Sequence, residues 1–370
     1  MKKVHFLIDK TKIVNYAITP VLFNKKKLKK RGYIVDFFYE IKEEFLECDI
    51  LILVSKPILK MVQEKQAVIH EPSPMIDLIK KAREYTNKII WMDTSDSTSV
   101  THFELLPYID LYLKKQLLKD KTLYIKKFYG GRIFTDYYHR EFGVKDSNPF
   151  EQFYPLDLDL VQKVGLSWHI GLGDMYNAFN KRGKIRLLVP EWIKFDYKMK
   201  FTPPESNRRI DLFIRTTSNL HRELVAFHRK ELIRRLNIIL SKPGINGSTK
   251  GPWLSTKEFR EALKNSKILP SPFGWGEIGV RDFEAFIFGA ALLKPDLSHM
   301  ETWPPIFIEH ETYQPFKWNF EDLESVILEL LENDKKRIEI ARNGQESYRN
   351  SISLEGMEKF CSWFIQQIEK

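Results

Sequence analysis

The sequence predicts an α/β protein built from two doubly wound, mostly parallel sheets. Three observations carry that expectation. The first half alternates short apolar runs with helical segments, the runs being Val4–Ile8, Tyr33–Tyr39, Asp49–Val54, Lys88–Met92 and Ile109–Leu113. The third of these, DILILV, is continuously apolar, as a parallel strand covered on both faces should be. The same rhythm restarts after DYKMKFTPPESNRR at 196–209, a charged stretch with two prolines that reads as a linker. At 370 residues the chain is long for one core, so the expected division is 1–200, 205–350 and a terminal helix over 351–370.

The elements follow in order. NKKKLKKRG at 24–32 reads as a basic helix that stops at Gly32, and Met75–Tyr85 has helical apolar spacing. Residues 141–205 are less regular. In the second half Ile210–Arg215 reads as a strand and His221–Leu236 as an Arg-rich helix with Ser218 or Asn219 as its N-cap. Ser255–Asn265 is a further helix and Lys267–Leu269 a short strand. FGWGEIGVRDFEAFIFGAALLKPD at 273–296 then gives a Gly-rich loop, a helix from about Val280, a stop at Gly289 and a buried strand over Ala290–Leu293. The tail from Phe320 to Lys370 reads as three amphipathic helices, the last placing Met357, Phe360, Cys361, Phe364 and Ile368 on one face.

Composition bounds the function classes. Apolar residues make up 43% of the chain, which argues for a packed globular protein. No apolar run approaches the ~20 residues that span a bilayer, and the apolar run near the N-terminus is too short for a signal peptide. Cys48 and Cys361 are the only cysteines, with no metal-ligand spacing around either, so the cytoplasm is the expected compartment. The net charge of +10 points to anionic partners. The run at 24–32 reads as a solvated face or as a peripheral contact with an anionic membrane. Nucleic acid is not expected, because no RNP, helix-turn-helix or zinc-finger signature is present.

The segment 273–296 carries the chemistry. Strand, glycine loop and helix place a helix N-terminus beside a phosphate. Arg281 adds a fork of charged donors, and Glu284, three residues on and on the same face, is placed to accept from paired ribose hydroxyls. This pattern resembles the donor-binding motif of GT-B glycosyltransferases, most of all the exostosin-like and group 1-like branches. The resemblance implies two Rossmann-like domains facing a cleft, with an acceptor-binding first domain and a donor-binding second. It implies that Glu284 holds the ribose of a nucleotide sugar, that Arg281 faces its phosphates, and that the terminal helix packs back on the first domain. Retaining relatives often carry two Glu eight positions apart. Here Gly276 stands at that place and Glu277 one step nearer, which is the departure from the pattern and leaves the stereochemistry open.

The remaining candidates sit at strand ends and loops. Arg215 closes a strand before a polar turn and is a second phosphate candidate; Gly276, His299 and Glu301 are donor candidates in the loops around the main motif. Asp93, Asp96, His169 and Glu277 are the catalytic candidates, since burial beside a cleft raises an Asp toward the pKa a general base needs. Arg132, Asp136, His139 and Asp174 are acceptor candidates, set among aromatic rings and glycines that suit sugar binding. Asp157 and Asp159 form DLD but read as a surface turn, and no metal or other cofactor is expected. The expected partners are a nucleotide-sugar donor and a glycan or lipid-linked acceptor. The alternative is a GT-B-fold nucleotide-sugar epimerase or hydrolase.

Overall fold

A computed structural model describes residues 1–8, 12–40, 43–55, 73–150, 152–173 and 199–370. Two parallel sheets organise it. The first runs β2-β1-β3-β4-β5-β7, with β1 Lys2–Leu7, β2 Tyr33–Phe38, β3 Ile50–Val54, β4 Lys88–Asp93, β5 Leu111–Lys114 and β7 Val164–Leu166. The second runs β13-β11-β10-β8-β9, with β8 Ile210–Phe213, β9 Gly247–Ser248, β10 Ser266–Pro270, β11 Ala291–Pro295 and β13 Gln314–Phe316. The doubly wound α/β architecture expected from the sequence is the one observed.

β3 shows why. Ile50, Ile52 and Val54 enter the core on one face of the sheet, and Leu51 and Leu53 enter the core on the other. Only a strand covered on both sides accepts such a run. The face bearing Ile50, Ile52 and Val54 is completed by the helix Leu354–Glu369, whose Phe360, Phe364 and Ile368 are fully buried there.

Two local expectations change. The helix Ile133–Phe142 lies in sequence between β5 and β7 of the first sheet, yet Phe134 and Tyr138 belong to the core around the second sheet. Tyr138 packs against His228 with the rings tilted, and their Oη and Nδ1 are 2.6 Å apart. Phe134 and Tyr138 are therefore packing groups here. The second helix starts at Glu223 rather than His221, and neither Ser218 nor Asn219 caps it. Asp146 does so from a distance: its Oδ1 accepts from the Leu224 N–H at 2.9 Å and its Oδ2 from Arg222 Nε at 2.8 Å. A carboxylate thus fills the anion site expected at that helix N-terminus.

A small antiparallel sheet joins the lobes. β6 Gln116–Leu118 leaves the first sheet and β12 Met300–Thr302 leaves the second, and they pair with Thr302 opposite Gln116. No helix among the described residues is long and apolar enough to cross a membrane.

Candidate functional site

In the second sheet β9 lies on one side of β8 and β10 on the other. The loops after β8 and β10 therefore part at a topological switch point, where open α/β sheets bind ligands. A cavity of about 430 Å³ lies there, between the lobes. The first lobe contributes Met92, Thr94, Asp96, Lys115 and Trp168; the second contributes Thr216, Arg229, the Gly-rich loop and Arg281.

The helix Val280–Phe288 opens at this cavity, with Gly279 as its N-cap and Gly289, in the left-handed region at φ 64°, ending it. Asp282 fixes the first turn. Its Oδ2 accepts from the Gly279 N–H at 2.9 Å, and its Oδ1 meets Lys294 Nζ at 3.0 Å and the Ser271 hydroxyl. Both members of the Asp282–Lys294 pair are fully buried. Burial pushes the Lys294 ammonium down, and Asp282 opposes that shift.

Two guanidiniums share the cavity. Arg229 donates from Nε to the Phe273 carbonyl at 3.1 Å and from Nη1 to the Thr217 carbonyl at 2.8 Å. Arg281 lies 5.6 Å over the Phe259 ring, and its buried Nη1 has no partner. Burial lowers both from the usual Arg value, and Arg281 lowers Arg229 further by like-charge repulsion. Among the described residues neither makes an ion pair. Two partly desolvated cations beside a helix N-terminus form a site suited to an anion. Glu284 stands one turn beyond Arg281, just outside the cavity wall. Burial raises its carboxyl, Arg281 and Arg260 counter, and it makes no hydrogen bond among the described residues.

Asp96 is the catalytic candidate that the fold brings to the cavity. Its side chain is 41% exposed, with Lys115 Nζ at 3.1 Å. Asp93 is not available as a base. It is fully buried, accepts from Lys114 Nζ at 2.7 Å and Tyr112 Oη at 2.6 Å, and is held below the usual carboxylate range. Burial alone would raise it, as expected from the sequence, but the Lys114 charge, His102 and the hydrogen bonds from Lys114 and Ser95 together outweigh burial. His169 also turns away. Trp168 and Ile170 line the cavity, whereas His169 packs 5.3 Å from Phe283, and burial pushes its imidazole down to about 3. Glu277 is fully buried in the inter-lobe contact and is not part of the cavity wall.

The other candidates are dispersed. Gly276 lines the cavity, and a Cβ there would stand 1.6 Å from the Asp96 carbonyl, so the loop's close approach to the first lobe requires glycine. Arg215 turns toward β9, donating to Ser248 Oγ at 2.9 Å. His299 sits edge-on to Trp318 at 5.0 Å, and burial lowers its pKa. Glu301 lies in β12, opposite Leu117. Arg132 spans the lobes, with Nε donating to the Trp275 carbonyl at 2.8 Å, and burial pushes it down to about 10. Asp136 accepts from the Tyr129 N–H at 3.0 Å and pairs with Arg140. His139 stacks on Tyr129 at 3.7 Å. None of these last six lines the cavity. Asp174 lies outside the described residues. Asp157 of DLD accepts from the Asp159 N–H at 3.0 Å and starts a short turn.

Two cavity residues were not singled out by the sequence reading. Arg229 falls on the buried stripe Val225, Leu232 and Leu236 of its helix. A lone charge on an apolar stripe was the missed signal. Lys115 follows Lys114 at the end of β5, and nothing local separates the buried ammonium from the one facing the cavity.

The family described as Glycosyl transferase-like matches residues 215–356. The chain is similar to an alpha-glucosyltransferase solved with UDP (12% identity, 100% of each chain, TM-score 0.44). It is similar to a glycosyltransferase from Rickettsia africae (14% identity, 100% of this chain and 99% of that one, TM-score 0.41). It is also similar to HepE from Anabaena, solved with UDP and glucose (8% identity, 100% of each chain, TM-score 0.44). Among curated proteins none matches. The matched stretch begins just after β8 and ends in the first turn of the helix Leu354–Glu369, so it spans the whole second-lobe side of the cavity, and over those residues the chain is similar to the family described as Glycosyl transferase-like.

Proposed function

We propose that the protein moves a sugar from a nucleotide-sugar donor to a glycan or glycolipid acceptor, in the assembly of a polysaccharide or glycoconjugate. The observation that carries this reading is the pair of guanidiniums, Arg229 and Arg281, with no ion pair among the described residues, in a cavity at a helix N-terminus. They hold the donor diphosphate and meet the charge that grows on it as the glycosidic bond breaks. The first-turn N–H groups of Val280–Phe288 add to that field. Glu284 takes the ribose hydroxyls. No metal ion is called for in this reading.

Asp96 faces the same space from the first lobe and is assigned to take the acceptor proton, with Lys115 holding its carboxylate. Lys26, Lys29 and Lys30 are exposed on the short helix Lys25–Lys30 and form the proposed contact with an anionic membrane. Salt-sensitive binding to vesicles containing anionic lipid, and not to neutral ones, tests that contact.

A thermal-shift screen with UDP, GDP, CMP, ADP and their sugars tests the donor site, because a ligand of the folded state raises the melting temperature. One nucleotide series should raise it. Loss of free nucleotide sugar without any acceptor would instead mark an epimerase or hydrolase.

A further inference from the structure

The fully buried carboxylate of Glu277 belongs to the second lobe, yet among the described residues the hydrogen bonds it accepts come from the first. Oε1 accepts from Ser97 Oγ at 3.0 Å and Thr98 Oγ1 at 2.8 Å. Oε2 accepts from the Thr98 N–H at 3.0 Å and Gln116 Nε2 at 2.7 Å. Gln116 also donates to the Asp96 carbonyl at 2.7 Å, and it is delivered to this point by the β6–β12 ladder. Beside it, Gly276 approaches that same carbonyl more closely than any Cβ allows.

We infer that Glu277 is a positioning residue that registers the two lobes across the cavity. It ties the Gly-rich loop, whose far end starts the Arg281 helix, to the Asp96–Thr98 turn. Among the contacts that join the lobes, this buried one is the tie that links the Gly-rich loop directly to the turn bearing Asp96. Glu277 does this without touching the reacting atoms, since the residues on either side of it line the cavity and it does not. The functional part of this inference rests on the donor and acceptor roles given above to Arg281 and Asp96; the registration itself rests on geometry alone.

Glutamine and alanine separate positioning from chemistry. In Glu277→Gln the amide oxygen still accepts from Thr98 N–H and Gln116, and the amide N–H₂ donates to Ser97 and Thr98 hydroxyls, which turn to accept. Glu277→Gln should keep kcat within about fivefold of wild type, whereas Glu277→Ala should lose about 100-fold, the scale of an ångström's misplacement. Nucleotide affinity should stay within about threefold in both, because Arg229, Arg281 and Glu284 sit on the second lobe alone. Small-angle scattering, which needs neither ligand nor reaction, should show a wider inter-lobe distribution for Glu277→Ala and an unchanged one for Glu277→Gln. Gln116→Leu, which removes one donor and leaves Glu277 in place, should lower kcat in the same direction if Glu277→Ala does not fold.

Equal inactivity of Glu277→Gln and Glu277→Ala, both folded, would make Glu277 a chemical group and overturn the inference. So would wild-type scattering from a folded Glu277→Ala. Failure of every nucleotide to bind the wild-type protein would remove the donor reading and leave the scattering test standing.

Discussion

At the scale of single residues, charge placed against burial decides what each candidate can do. Asp93 and Asp96 differ by three positions, yet one is sealed against Lys114 and the other faces the cavity. The sequence offers both as acids after a strand, and it cannot say which one a neighbouring lysine will neutralise. Asp96→Asn should lower kcat by about 10²–10⁴-fold with donor affinity unchanged, as loss of a general base does; steady-state kinetics beside nucleotide titration checks it. Arg281 was readable because its motif is local. Arg229 was readable in principle, from its place on an apolar stripe. Glu277 was not, because its partners Ser97 and Thr98 are 180 and 179 positions away.

At the scale of elements, the helix Val280–Phe288 is aimed by the buried Asp282–Lys294 pair. Removing one partner leaves a buried charge without compensation. Asp282→Ala should therefore cost about 3–5 kcal/mol of stability, read by denaturant unfolding. Gly289 and the apolar strand after it were readable from residue type alone. The helix Ile133–Phe142 was not: its phenylalanines and tyrosines suit either lobe, and only tertiary contact sends Phe134 and Tyr138 to the second core. His228 ties that helix to the Gly-rich loop. Its Nε2 accepts from the Phe273 N–H at 3.1 Å, so Nδ1 carries the proton that points to Tyr138 Oη at 2.6 Å.

That arrangement, with His169, gives a pH dependence. Burial pushes both imidazoles down to about 3 from 6.5. The unfolded chain then binds more protons than the folded one at every pH between those values. Stability is fully present above about pH 6.5 and falls as pH drops toward 3. Melting temperature should be flat in these groups from pH 8 to 7 and decline from about pH 6 to 4. Replacing His228 with Gln should flatten that decline, measured by the same melts.

At the scale of the whole molecule, two sheets face one another and are joined at several places. The β6–β12 ladder, Glu277, Arg132 on Trp275 and the terminal helix each cross between lobes. The presence of two doubly wound halves was readable from the repeat of βα rhythm and from the linker composition. The way the halves touch was not, because register across a cleft depends on residues far apart in sequence.

The central claim is that Arg229 and Arg281 hold the diphosphate of a nucleotide sugar in the inter-lobe cavity. Calorimetric titration of the best nucleotide from the thermal-shift screen, into wild type and into the Arg229→Met/Arg281→Met double variant, tests it most directly. The expected result is a folded double variant with affinity weakened by about 100-fold or more, since two charge-assisted contacts are lost. Equal affinity in the two proteins, with melting temperatures also equal, would contradict the account.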